Sequence, residues 1–230
     1  MDDGKAIETP PAIDIPGLLE QMLLRPELSE TDVAQGCELA KRYAISAVIV
    51  RPSDVDLAVR WVAGSGTVLA TLVESAGSTA VKTFAVRDML RRGARQIETV
   101  MNTGKLVSRQ FQYLEMELLQ MADACHQAGA VLNVALENEF LNDELKIVAC
   151  RVCKRAGVDS IASSALADIP LLKQYANERL KLKSFASTLD QTLAFQEAGC
   201  SRLQTDQTAA IVEAWKAKAA EQVSATPVVS

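Results

Sequence analysis

The chain has 230 residues, with 24 lysines and arginines against 29 aspartates and glutamates, giving a formal charge of −5 and a pI near 5.1. At 49% apolar and 23% charged residues the composition is that of a globular protein, which excludes disorder of the whole chain. The acidic balance leaves no basic footprint for nucleic acid, and no apolar run approaches the roughly 18 residues of a membrane span.

Residues 1–12 (MDDGKAIETPPA) are polar and proline-rich and read as a flexible N-terminal arm. Met1 to Lys5 do not have the basic and then apolar character of a signal peptide, so a cytoplasmic location is expected. In the same setting five cysteines, an odd number, read as reduced thiols. Residues 13–222 carry no linker and read as one domain, and 223–230 as a flexible C-terminal tail.

A weak strand reads at Leu19 to Leu23. Ser29-Glu30-Thr31-Asp32 then resembles a capping box with Asp in the place of Glu. Strands follow at Ser46 to Val50 and Val68 to Val73. Ser75-Ala76-Gly77-Ser78 is a weak anion-site signal, better explained by Ser78 capping a helix that runs to Arg91. The next strand is Gln96 to Met101. Phe111, Leu114, Leu118, Met121 and Cys125 fall at steps of 3, 4, 3 and 4, one face of a helix. After a strand at Val131 to Leu136, Asn142 or Asp143 starts a helix that ends at Gly157. Strands at Asp159 to Ala162, Leu180 to Ser184 and Ser201 to Gln204 complete the series.

A local pattern repeats through this series: a helix ends in glycine and an apolar strand follows within two or three residues. It occurs at Gly93, Gly129, Gly157 and Gly199, with gaps of 36, 28 and 42 residues, each long enough for one strand and one helix. Eight strands mostly alternating with helices predict an α/β fold, a (βα)8 TIM barrel in a single domain.

Several residue sets are candidates for chemistry. Cys150-x-x-Cys153 sits well inside a helix, away from the N-terminus that would activate a thiol, and reads as helix packing. His126 is the sole histidine, so it cannot belong to a histidine-rich metal site; it reads as a surface residue near a helix C-terminus. No metal site or cofactor-binding loop is read. Lys181 and Lys183 are two apart on a strand and therefore share a face, which in a helix-covered barrel is the lumen or its mouth. With Glu98 and Asn133 they predict a polar lumen. A lysine there is either a nucleophile of depressed pKa or the structural ion-pair partner of Glu98.

The chain resembles the deoxyribose-phosphate aldolase family over Leu18 to Asp206. The motif I-D-x-T-L-L-x-P is matched by Leu19-Glu20-Gln21-Met22-Leu23-Leu24-Arg25-Pro26, and V-C-V-x-P by Val48-Ile49-Val50-Arg51-Pro52. E-I-D-x-V-x-N-x-G falls on Gln96 to Gly104, L-K-V-I-x-E on Leu132 to Glu137, and E-A-G-A-x-R-x-G-T-S on Glu197 to Asp206.

That resemblance implies a barrel that cleaves 2-deoxyribose 5-phosphate to acetaldehyde and glyceraldehyde 3-phosphate through a lysine Schiff base, with no metal or other cofactor. It also implies substrate contacts at Glu20, Ile49, Thr205 and Asp206. The family's V-K-T-S, which carries the nucleophile, falls on Ile161-Ala162-Ser163-Ser164, so the lysine is replaced by Ala162. Glu98 stands in place of the proton-shuttling aspartate and Asn133 in place of a strand-five lysine. The strand-seven lysine corresponds to Lys183, or to Lys181 with the gap placed differently. Its Gly-Gly neighbour and the terminal G-T-S of the phosphate cradle become Ser184-Phe185-Ala186 and Gln204-Thr205-Asp206. The resemblance therefore implies a barrel whose family reaction is lost, acting as a binding or regulatory protein. The alternative is a class I lyase on an unphosphorylated carbonyl, using Lys183 or Lys181 with Glu98. A small carbonyl or sugar-like ligand, and a homodimer or protein partner, are expected.

Overall fold

In a computed structural model, which describes residues 14–74, 77–176 and 178–225, the predicted strands and helices alternate in the expected order. The N-terminal arm, residues 226–230 of the tail, and Ser75 and Ala76 lie outside the described residues. The strands are β1 (Leu19–Leu23), β2 (Ala47–Val50), β3 (Val68–Val73), β4 (Gln96–Val100), β5 (Val131–Ala135), β6 (Ser160–Ala162), β7 (Lys181–Phe185) and β8 (Arg202–Thr205). All are parallel, and β8 pairs with β1 to close an eight-stranded barrel. The helices are α1 (Ile15–Leu18), α2 (Glu30–Arg42), α3 (Val55–Val62), α4 (Thr79–Arg91), α5 (Thr103–Val107), α6 (Phe111–Gln127), α7 (Asp143–Ala156), α8 (Asp168–Tyr175), α9 (Leu189–Ala198) and α10 (Thr208–Ala225). The last continues three residues into the stretch read as tail.

The helix boundaries follow from local chemistry. Ser29 and Asp32 cap α2 reciprocally: the Ser29 backbone N–H donates to Asp32 Oδ2 at 2.8 Å and the Asp32 N–H to Ser29 Oγ at 3.3 Å. Asn142 caps α7 through the Leu145 N–H, and α7 ends at Gly157 with φ +77°, a left-handed residue that glycine adopts without strain. Ser78 does precede α4, but its side chain makes no capping hydrogen bond.

Alternation along the strands separates two interiors. Outward residues such as Val48, Val50, Ile97, Leu132, Val134, Ile161 and Leu203 form the main core with buried faces of the helices, including Cys37, Leu114, Leu118, Met121, Cys150 and Cys153. Burying each of the larger aliphatic side chains contributes about 1.5–3 kcal/mol. All five cysteines are free and buried here. Burial pushes the Cys150 thiol up to about 11 and Cys125 and Cys200 to about 12, so the C-x-x-C pair is packing. His126 stands near the end of α6 with Nε2 3.0 Å from Asp159 Oδ2. No described helix is long and apolar enough to cross a membrane.

Candidate functional site

The second interior is the lumen. Parallel register partners face the same way, and two series of them converge there. Leu72, Glu98, Asn133, Ser160 and Lys181 are one; Ala135, Ala162, Lys183 and Arg202 are the other. Phe185, Gln204, Glu20 and Ala47 likewise share the inward face.

An ion cluster spans the middle of this lumen. The Lys183 ammonium lies 2.6 Å from Glu20 Oε2 and 2.8 Å from Glu98 Oε1, and the Lys183 and Glu20 side chains are only 1% and 2% exposed. Three amides turn their NH2 groups to the carboxylates. Gln96 donates to Glu98 Oε1 at 2.7 Å and Glu20 Oε1 at 3.1 Å, Asn133 to Glu98 Oε1 at 2.7 Å, and Gln204 to Glu98 Oε2 at 3.0 Å. Such saturation is what makes burial of charge tolerable, since an unpaired carboxylate here would cost several kcal/mol.

The cluster carries two carboxylates and one ammonium, an excess of one negative charge. Burial works against the charge on Lys183, but Glu98 and Glu20 outweigh it and hold the ammonium above its ordinary pKa. Burial likewise pushes the Glu20 carboxyl above its usual range, opposed by Lys183 and reinforced by Glu98. Lys183 is therefore placed as the ion-pair partner of Glu20 and Glu98, which favour its charged form.

The Glu20 shift has a measurable sign. A carboxyl raised in the folded state favours folding fully below its unfolded pKa near 4.5, and that contribution is lost as pH rises through the folded value. Urea unfolding of the native chain and Glu20→Gln at pH 5 and pH 7 should show the native chain faring better, relative to the variant, at pH 5. The opposite trend would mean that the folded state favours the ionised form of Glu20 and lowers its pKa.

The cluster divides the lumen into two wells. Above it, at the C-terminal ends of the strands, lies a cup of about 360 Å³ lined by Leu24, Leu72, Val73, Val100 and Ala135, with Glu98 and Gln204 at its floor. In barrel enzymes this end carries the chemistry. Ala162 sits at this end in register with Ala135, and beside it a polar net pins the following loop. Asn138 Nδ2 donates to Ser163 Oγ at 2.9 Å, Ser163 Oγ donates to Asp168 Oδ2 at 3.0 Å, and Lys146 Nζ lies 2.7 Å from Asp168 Oδ1.

Of the residues singled out in the sequence, Glu98, Asn133, Lys183 and Glu20 meet in the lumen. Lys181 does not join them, because two residues earlier on β7 is a full step down the barrel; it is exposed at the lower mouth. Ile49 is buried on the inward face, in register with Met22 and Ala70. Thr205 turns away from the lumen, since its neighbour Gln204 points in, and its hydroxyl accepts from the Gln207 N–H at 2.9 Å. Asp206 is exposed after the end of β8, accepting from the Gln207 side chain. Gln96 and Gln204 were missed by sequence reasoning, although each is a polar residue at a strand position. No group of three or more His, Cys, Asp or Glu residues able to hold a metal occurs among the described residues.

Fold and site together define a single-domain (βα)8 barrel of the aldolase type, with its polar residues gathered in the lumen. No family model matches the chain. The deoxyribose-phosphate aldolase of Bacteroides thetaiotaomicron is 30% identical over 213 residues, covering 87% of this chain and 90% of that protein. That of Treponema denticola is 29% identical over 207 residues, covering 84% and 96%. Among solved structures, the aldolase QR15 superposes with a TM-score of 0.84 at 24% identity, covering 91% of this chain and 99% of that one. The tetrameric deoxyribose phosphate aldolase of Aeropyrum pernix superposes with a TM-score of 0.80 at 18% identity, covering 89% and 92%. The chain belongs to the deoxyribose-phosphate aldolase family.

Proposed function

We propose that this chain is a non-catalytic member of its family, a barrel that binds a small carbonyl or sugar-like ligand in its upper cup and serves a binding or regulatory role. The observation that carries this reading is the state of Lys183. It is buried in the middle of the lumen, and its ammonium is sequestered between two carboxylates. Schiff-base formation needs a neutral amine with access to a carbonyl carbon. At Ala162, where the resemblance puts the nucleophile, there is only a methyl group. The apolar walls of the cup and the exposed carboxylate of Asp206 also suit an unphosphorylated ligand better than a phosphorylated one. A homodimer or a protein partner belongs to the same proposal.

One observation favours a second reading, a class I lyase acting on an unphosphorylated carbonyl. Ala162 and Lys183 are register partners, so a lysine does border the position of the lost nucleophile. That reading requires Lys183 to shed its proton and leave both Glu20 and Glu98. Lys181 would have to act from the opposite mouth.

Incubation with deoxyribose 5-phosphate or acetaldehyde, followed by borohydride and intact-mass measurement, separates the two. The non-catalytic reading expects the unmodified mass. A stoichiometric adduct mapped to Lys183, and absent from Lys183→Ala, would overturn it in favour of the lyase.

A further inference from the structure

The end of the barrel opposite the cup holds a second cavity, of about 590 Å³. Barrel ends are usually filled by packed, branched side chains. Here the first inward positions of β6, β7 and β8 are Ser160, Lys181 and Arg202, which leave the floor open and polar. Arg95, just before β4, and Arg179, just before β7, complete the rim.

The charge at this end runs against that of the molecule. In a chain of net charge −5, four cations converge on one mouth. The carboxylates lining the same cavity, Asp159 and Glu20, are already engaged. Asp159 Oδ2 accepts from the Leu132 N–H at 2.8 Å and lies 3.0 Å from His126 Nε2, while Glu20 is held by Lys183 and Gln96.

The cations themselves are tied to no carboxylate in three of the four cases. Arg95 donates to the Leu90 and Ala94 carbonyls and Arg202 to the Ser201 carbonyl. The Lys181 ammonium makes no hydrogen bond or ion pair among the described residues. With its carboxylates engaged, the cleft presents mainly positive charge to an incoming ion, and guanidinium forks match the geometry of oxyanions.

We propose that this lower cavity is a binding site for a small oxyanion carrying two or more negative charges, a phosphate-bearing or polycarboxylate metabolite. The site lies across the ion cluster from the cup and does not depend on whether the cup is catalytic. Lys181 and Arg202 supply the anion contacts from the floor, and Arg95 and Arg179 close around them from the rim.

Inorganic pyrophosphate is the probe, titrated calorimetrically at low ionic strength. The expected result is one saturable site per chain. Lys181→Glu and Arg202→Glu should each weaken binding by at least about tenfold, the scale of one charge-assisted hydrogen bond. Both side chains are exposed, so the variants should keep the native circular dichroism spectrum. Lys218→Glu, on α10, should bind as the native chain does. Citrate in competition assigns the preference between phosphate and carboxylate. Absence of saturation at concentrations on the order of 1 mM would overturn the proposal. So would an affinity that falls equally in Lys218→Glu, or one that survives both substitutions at the floor.

Discussion

Replacing Lys183 by methionine should destabilise the folded barrel by about 3–5 kcal/mol at neutral pH, although the substitution is nearly isosteric and apolar. The loss does not come from packing. Methionine fills the space, but Glu20 and Glu98 then face each other in the lumen with no cation between them, and the amides of Gln96, Asn133 and Gln204 cannot neutralise two charges. Two consequences make the cause identifiable. Adding Glu20→Gln to Lys183→Met should recover a large part of the loss, because the repulsion goes with the carboxylate. The deficit should also shrink as pH falls, since the Glu20 carboxyl is already biased toward protonation by burial. Urea denaturation of the three proteins at pH 5 and pH 7 measures both effects. A loss below about 1 kcal/mol, unchanged by the second substitution, would mean that the lumen solvates carboxylates by itself.

The architecture was legible in the sequence because its signals are local. A glycine that ends a helix, followed at once by an apolar strand, marks one βα unit wherever it occurs, and Gly93, Gly129, Gly157 and Gly199 all take positive φ. The facing of Lys181 and Lys183 was equally accessible, because strand parity needs no tertiary information. What parity cannot supply is height along the barrel axis, and that is why Lys183 meets the carboxylates while Lys181 lies in the lower mouth. Partners across the lumen were less visible still. Glu20 reaches Lys183 only because β8 closes on β1, and Gln204 comes near Glu20 from 184 positions away. The buried pair of Lys82 and Glu117, 2.7 Å apart between α4 and α6, gave no sequence signal at all, since each residue taken singly looks like part of a solvated helix face. Ala162 illustrates the reverse case. Nothing in an alanine announces a missing lysine, and its meaning rests wholly on the resemblance to the family.

A lysine placed at Ala162, where the resemblance puts the family's nucleophile, should not be an efficient nucleophile, and the ion cluster says why. In Ala162→Lys the new amine would enter beside Lys183, its register partner, and a neighbouring cation ordinarily depresses a lysine pKa. Here the cation is more than neutralised by Glu20 and Glu98, so the new amine meets an excess of negative charge and stays protonated. Trapping of acetaldehyde by Ala162→Lys with borohydride should therefore be slow at pH 7 and accelerate toward pH 9. Adding Glu20→Gln removes one carboxylate and leaves Lys183 balanced by Glu98 alone, so the excess negative charge at the new amine is gone. A carboxylate at such range shifts a pKa by about 1–3 units, so the double variant should trap at least about tenfold faster than Ala162→Lys at pH 7. Ala162 is the register partner of Ala135, which lines the cup, so the longer side chain would start from the strand next to the cup. Equal trapping rates in the single and double variants would show that Glu20 does not control the site's electrostatics. No adduct in either at pH 9, with the fold intact, would show that the cup does not bring a carbonyl to position 162, so that more than the residue at this position separates the cup from Schiff-base chemistry.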